Sequence, residues 1–124
     1  MKRTDVILVD TSVWVEHLRH GHEGLQSLLA AEKVLCHPFV VGELACGTLK
    51  NRNEVLSLLR SLPQAHTADH DEVLEFVNAH RLHGKGVGWI DAHLLASAAL
   101  SHAGIWTLVR PLQRAASALK LSAD

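Results

Sequence analysis

The chain has 124 residues, 48% apolar and 20% charged, the size and composition of one globular domain, which excludes disorder, collagen and coiled coil. Its 12 Lys and Arg against 13 Asp and Glu, a formal net charge of −1, exclude a uniformly basic nucleic-acid binder, although a local basic patch can still hold phosphate. With no Tyr, 2 Phe and 3 Trp there is little material for a base-stacking platform, so a nucleic-acid target would be read through backbone and shape.

In chain order, Lys2 and Arg3 precede an apolar run that stops at Val9, too short for a signal peptide's apolar segment or a membrane span, so a cytoplasmic protein is expected. "DVILVD" (5–10) reads as a parallel strand buried on both faces, followed by a short helix from Val13 to Leu18. "EGLQSLLAAEK" places Leu25, Leu28 and Leu29 at helical spacing, and "VLCH" (34–37) reads as a second strand. Pro38 suits a helix's first turn, and "FVVGELACG" runs to Gly47 as its stop. Val55, Leu56, Leu58 and Leu59 mark a helix ended by Pro63, with an extended piece at Gln64 to Thr67. "DHDEVLEFVNAHRL" opens on acids that suit a helix N-terminus and turns Val73, Leu74 and Val77 inward. "HGKGVG" (83–88) is a glycine-rich break with neither Walker nor GxGxxG spacing. "WIDAHLLASAALSHA" is the strongest helix, "IWTLV" (105–109) reads as a strand, and Pro111 opens a last helix. Cys36 and Cys46 lack CxxC spacing and read as reduced, buried thiols. The whole chain, 1–124, is read as one α/β domain with a mainly parallel sheet, whose ligands are expected at the carboxyl ends of the strands. Asp10 stands at such an end.

Three carboxylates fall in unexpected places. Glu43 shares a helix face with Phe39 and Val40, and Asp91 begins the apolar stripe Leu94, Leu95 and Ala98. Singly, each has a plain alternative: Asp10 as a helix cap, Asp91 as a first-turn acid, Glu43 as a partly exposed helix residue. Two unit charges of one sign about 4 Å apart repel by roughly 4 kcal/mol at an effective dielectric of 20, so a fold would converge them only around a cation. Hard oxygen ligands without a Cys or His pattern favour Mg²⁺ or Mn²⁺ over zinc, the usual route to phosphoester hydrolysis by activated water.

At these residues the chain resembles a known family. "VDTSVWVEHLR", "FVVGELACGTLKNR", "GVGWIDAHLLASA" and "WT" are similar to the successive motifs of PIN-domain ribonucleases, in particular VapC toxins of bacterial type II toxin–antitoxin systems. The resemblance implies a three-layer α/β/α sandwich, Mg²⁺- or Mn²⁺-dependent endoribonuclease activity on structured RNA such as tRNA or rRNA, a homodimer, and inhibition by a VapB-like antitoxin. It maps the family's first three acids onto Asp10, Glu43 and Asp91 as catalytic and metal-holding residues. Where the family has Trp-Thr-x-Asp, this chain has Trp106, Thr107, Leu108 and Val109, with no acid between Asp91 and Asp124. One principal metal site and slower hydrolysis than in a four-acid relative are therefore expected. Thr11, Ser12 and Thr107 are candidates to support the acids by hydrogen bonds, with helix capping the alternative. Lys50 and Arg52, after the Glu43 helix, are candidates for RNA phosphate contact.

Two other readings stay open. The ten histidines lack zinc spacing, but a pair of them could cleave RNA without metal by acid and base catalysis. The chain could also be a weakened module that binds antitoxin or RNA without efficient cleavage, the reading that Val109 keeps alive. Trp14 and Trp89, beside the acid motifs, read as core or dimer-contact residues.

Overall fold

A computed structural model describes residues 6–123; Lys2, Arg3, Asp5 and Asp124 lie outside them. The elements run β1 (Ile7–Val9), α1 (Thr11–His20), α2 (Glu23–Ala30), β2 (Val34–Leu35), α3 (Pro38–Cys46), α4 (Arg52–Ser61), α5 (His70–Ala79), α6 (Trp89–Leu100), β3 (Gly104–Trp106) and α7 (Arg110–Ala118).

The sheet has the order β2-β1-β3, with β1 parallel to both neighbours. Its registers pair Leu8 with Leu35 and with Ile105. Central position explains the unbroken apolar run in β1: Leu8 and Val9 are fully buried, because helices cover both faces. The result is the expected three-layer α/β/α sandwich. Single parallel bridges widen the sheet at each edge, Cys36 with Gln64 and Ile105 with Ser122. The extended piece expected at Gln64 thus pairs with the end of β2.

α6 is apolar on nearly its whole circumference, and Ala92 through Ala98 are all buried. Such a helix must be covered on more than one side; α6 packs on β1 and β3 and against α5. Between α5 and α6 a small satellite cluster, Ala68, Val73, Ala92 and Ala96, closes that seam. Asp69 caps α5 in a capping box with Glu72, each side chain accepting from the other residue's N–H at 2.9 Å, an arrangement worth about 1 kcal/mol.

Several boundaries move. Of the expected strand 5–10, Asp5 lies outside the described residues, Ile7–Val9 form the strand, and Asp10 leaves it to cap α1. "VLCH" gives only Val34–Leu35 as strand, and His37 becomes the N-cap of α3. "IWTLV" leaves the sheet at Trp106: the Leu108 N–H turns to the Ser12 hydroxyl of α1, and the Val109 N–H turns back to the hydroxyl of Thr107. Leu74, expected inside, is exposed on α5 while Val73 is fully buried. Cys36 is buried and burial pushes its thiol up to about 11, but Cys46 is exposed, correcting the expectation of two buried thiols.

Candidate active site

The site is assembled at the carboxyl end of β1. Asp10 is 4% exposed, and its Oδ2 accepts three donors: the Ser12 N–H at 3.3 Å, the Ser12 hydroxyl at 2.7 Å and the Thr107 hydroxyl at 2.8 Å. Each hydroxyl is itself oriented by a backbone donor, Ser12 Oγ by Leu108 N–H at 2.9 Å and Thr107 Oγ1 by Val109 N–H at 3.0 Å. A hydroxyl that accepts a fixed N–H has its own hydrogen left to give. The chain that leaves β3 therefore aims two O–H groups at one carboxylate oxygen, while Oδ1 takes no hydrogen bond from the described residues.

Thr11 points the other way. Its hydroxyl donates to Glu43 Oε1 at 2.7 Å, joining α1 to α3, which pack together. The consecutive residues Asp10, Thr11 and Ser12 thus supply one acid, a tether for a second, and a tether for the first. Glu43 is exposed, a correction to the buried face inferred from Phe39 and Val40: Val40 is fully buried, but Phe39 is itself turned outward. Asp91, in the first turn of α6, is half-buried. Burial raises its pKa above the ordinary carboxylate value, the charge of Asp10 raises it further and that of Glu43 adds to this, against a lowering by the Gly88 N–H. The three acids from β1, α3 and α6 therefore share one field, and among the described residues no lysine or arginine contributes to the shift at Asp91.

As placed, no three His, Cys, Asp or Glu side chains among the described residues stand close enough to enclose an ion. The donor chemistry still fits a hard divalent cation: three carboxylates near enough to repel, with Asp10 Oδ1 taking no protein donor. Mg²⁺ keeps several waters and needs no closed protein cage.

The neighbouring histidines are structural. His37, 1% exposed, accepts the Phe39 N–H at Nδ1 (3.0 Å), so its proton lies on Nε2 and is given to Ser97 Oγ at 3.1 Å. Burial, helped by His93, lowers its pKa to about 4. His93 is buried and lowered for the same first reason, then by His70. Neither is placed to reach a substrate as an acid and base pair. Arg52 gives its Nε and Nη2 hydrogens to the Ala45 carbonyl at 3.2 and 2.9 Å, closing the end of α3; Lys50 is exposed beside it. Trp14 is core, whereas Trp89 is 39% exposed. The backbone donors of Gly88, Leu108 and Val109 were not readable from side-chain types; only the hydroxyls they orient were.

The family pattern of the PIN domain matches residues 7–108. Ribonuclease VapC32 of Mycobacterium tuberculosis is 49% identical over 111 residues, covering 89% of this chain and 90% of its own, in each of two strains. The match contains the strand end, the α3 acid, the α6 acid and the Trp106-Thr107 turn that together build the site: the chain belongs to the PIN-domain family, among the VapC ribonucleases.

Proposed function

We propose that this chain is a divalent-metal-dependent endoribonuclease, the toxin of a VapBC-like toxin–antitoxin pair, acting in the cytoplasm as a homodimer on structured RNA such as tRNA or rRNA. What supports the reading is the family match over residues 7–108 together with the tethers on two of its acids, Ser12 and Thr107 on Asp10 and Thr11 on Glu43, and the charges of both acids acting on Asp91. The relative's name, a ribonuclease, supports the same activity. Among the described residues no helix is long and apolar enough to cross a membrane.

Asp10, Glu43 and Asp91 would hold Mg²⁺ or Mn²⁺; when bound, the ion supplies a more acidic water and neutralises charge developing on the phosphodiester. The chain's own residues supply the rest. Ser12 and Thr107 hold one Asp10 oxygen with their hydroxyls, which leaves the other for a cation, and Thr11 holds Glu43.

Purified protein with Mg²⁺ or Mn²⁺ on total RNA, with Asp10→Ala and EDTA as controls, tests this. Cleavage that leaves 5′-phosphate ends and vanishes in both controls is the expected result. Cyclic phosphate ends formed in EDTA would establish the histidine route instead, and cleavage by neither protein would establish the binding module.

A further inference from the structure

Of the glycine-rich stretch "HGKGVG" only Gly88 enters the chemistry above, and the five residues before it have a geometry of their own. Gly84 and Gly86 both have positive φ, +72° and +77°, a conformation glycine adopts without steric cost. They bracket Lys85. A Cβ at Gly86 would meet Pro111 Cβ at 3.2 Å, so the missing side chain lets this turn lie on the first turn of α7. Between the turn and α7 runs a groove of about 500 Å³. Lys85 stands on one wall, Arg114 on the other, with His80 between α5 and the turn, and no aspartate or glutamate lines it. In a chain with a net charge of −1, a groove with cations on both walls and no acid selects for an anion.

Both walls adjoin the acid-bearing segments along the chain. The turn leads through Gly88 into Asp91. α7 follows Val109, whose N–H orients the Thr107 hydroxyl on Asp10. We infer that this groove is a phosphate-binding subsite, in which Lys85 and Arg114 hold the sugar-phosphate backbone of the RNA strand as it leaves the acid cluster. The inference rests on the nuclease reading for the identity of the anion. Lys85 and Arg114 are positioning residues: they neutralise phosphates remote from the bond that breaks, and they read no base.

Each phosphate contact on single-stranded nucleic acid contributes about 0.7 to the slope of log K against log salt. The test is fluorescence anisotropy of a 2′-O-methyl oligouridylate of roughly 12 nucleotides, in EDTA, across a salt series. This probe keeps its phosphates; EDTA withholds the ion that the metal route needs, and the absent 2′-hydroxyl blocks the histidine route, so neither consumes it. Lys85→Gln and Arg114→Gln should each flatten the slope by about 0.7 and weaken binding about fivefold at 0.1 M salt, while Lys85→Arg and Arg114→Lys restore the slope. Unchanged slopes overturn the inference, as does a loss of equal size at every salt concentration, which marks a merely structural role. Unchanged slopes with weakened antitoxin binding would assign the groove to the protein partner. Because the probe is not cleaved, the result is independent of whether Asp10 variants still cut RNA.

Discussion

Asp10 and Glu43, two acids of the proposed site, are held in opposite ways. Asp10 is 4% exposed with three donors on one oxygen; Glu43 is exposed with one donor, the Thr11 hydroxyl. Fixing a side chain costs conformational entropy, and only the Asp10 side meets that cost during folding. The difference teaches where the acids are held: β1 and the Thr107 turn fix Asp10 on a buried floor, whereas α3 presents Glu43 on an exposed side chain held by a single hydroxyl. Asp10→Asn is the largest expected break in this arrangement. Asparagine is as good an N-cap as aspartate, so α1 should persist while the charge is lost. We expect cleavage to fall on the order of 10³-fold, several kcal/mol of transition-state stabilisation, with the melting temperature nearly kept. A single-turnover assay beside a thermal melt separates the two; near-wild-type cleavage would remove Asp10 from the chemistry.

The α3 wall has its own weak point at His37, which caps the helix at its start. The ring is neutral in the fold, with a pKa of about 4 against the ordinary 6.5. Below pH 6.5 the unfolded chain takes up a proton that the folded chain refuses, so stability is full above 6.5 and is lost as the pH falls toward 4. The loss attributable to His37 is about 3 kcal/mol. His37→Asn keeps an acceptor for the Phe39 N–H without titrating. Urea melts at pH 7 and pH 4 should show that the variant starts less stable and loses less on acidification. Equal losses in both proteins would place the acid sensitivity elsewhere.

A smaller effect sharpens the same contrast. Thr107→Val removes a buried donor to Asp10 and leaves the Val109 N–H without its acceptor, and a loss of 10- to 100-fold in metal affinity or cleavage is expected. Thr11→Val removes the exposed donor to Glu43, where water can replace it. Its cost should fall well below that of Thr107→Val. Isothermal titration with Mn²⁺ measures both, and equal losses would mean that Glu43 is held as firmly as Asp10.

Much of this was legible in the sequence, for physical reasons that differ by element. The apolar run of β1 and the all-round apolar α6 announce burial on two sides; β1 is the central strand, and α6 lies between the sheet and α5. The end of β3 was not legible, because Thr107 competes with the sheet ladder: its hydroxyl takes a backbone donor two residues on, a local bond that β-propensity does not register. Glu43 misled for another reason. Its neighbour at four residues' spacing, Phe39, is apolar but 38% exposed, so sharing a face with it carries no burial. The residues Thr11 and Ser12 were visible as hydroxyls, yet only the fold shows that they serve different acids.

The smallest expected effect concerns the absent fourth acid, and it tests whether the floor under Asp10 extends into α7. Val109 is the N-cap of α7, in extended backbone, with no side-chain cap hydrogen bond. Its N–H is already committed to Thr107 Oγ1, and through that hydroxyl the residue is tied to Asp10. An acid there would do two separable things. Any good capping side chain would accept an orphan N–H of α7 and stabilise it by about 1 kcal/mol. Only a charged one would add a fourth carboxylate to the shared field, which destabilises the metal-free protein and strengthens its hold on a cation. Val109→Asn isolates the first effect and Val109→Asp combines both. In EDTA the asparagine variant should melt highest. With Mn²⁺ the aspartate variant should gain most, in proportion to its tighter binding, and cleave a few times faster than the natural chain, about 1 kcal/mol in the barrier. Aspartate and asparagine variants that melt and cleave alike, with and without the ion, would show that position 109 serves only the helix.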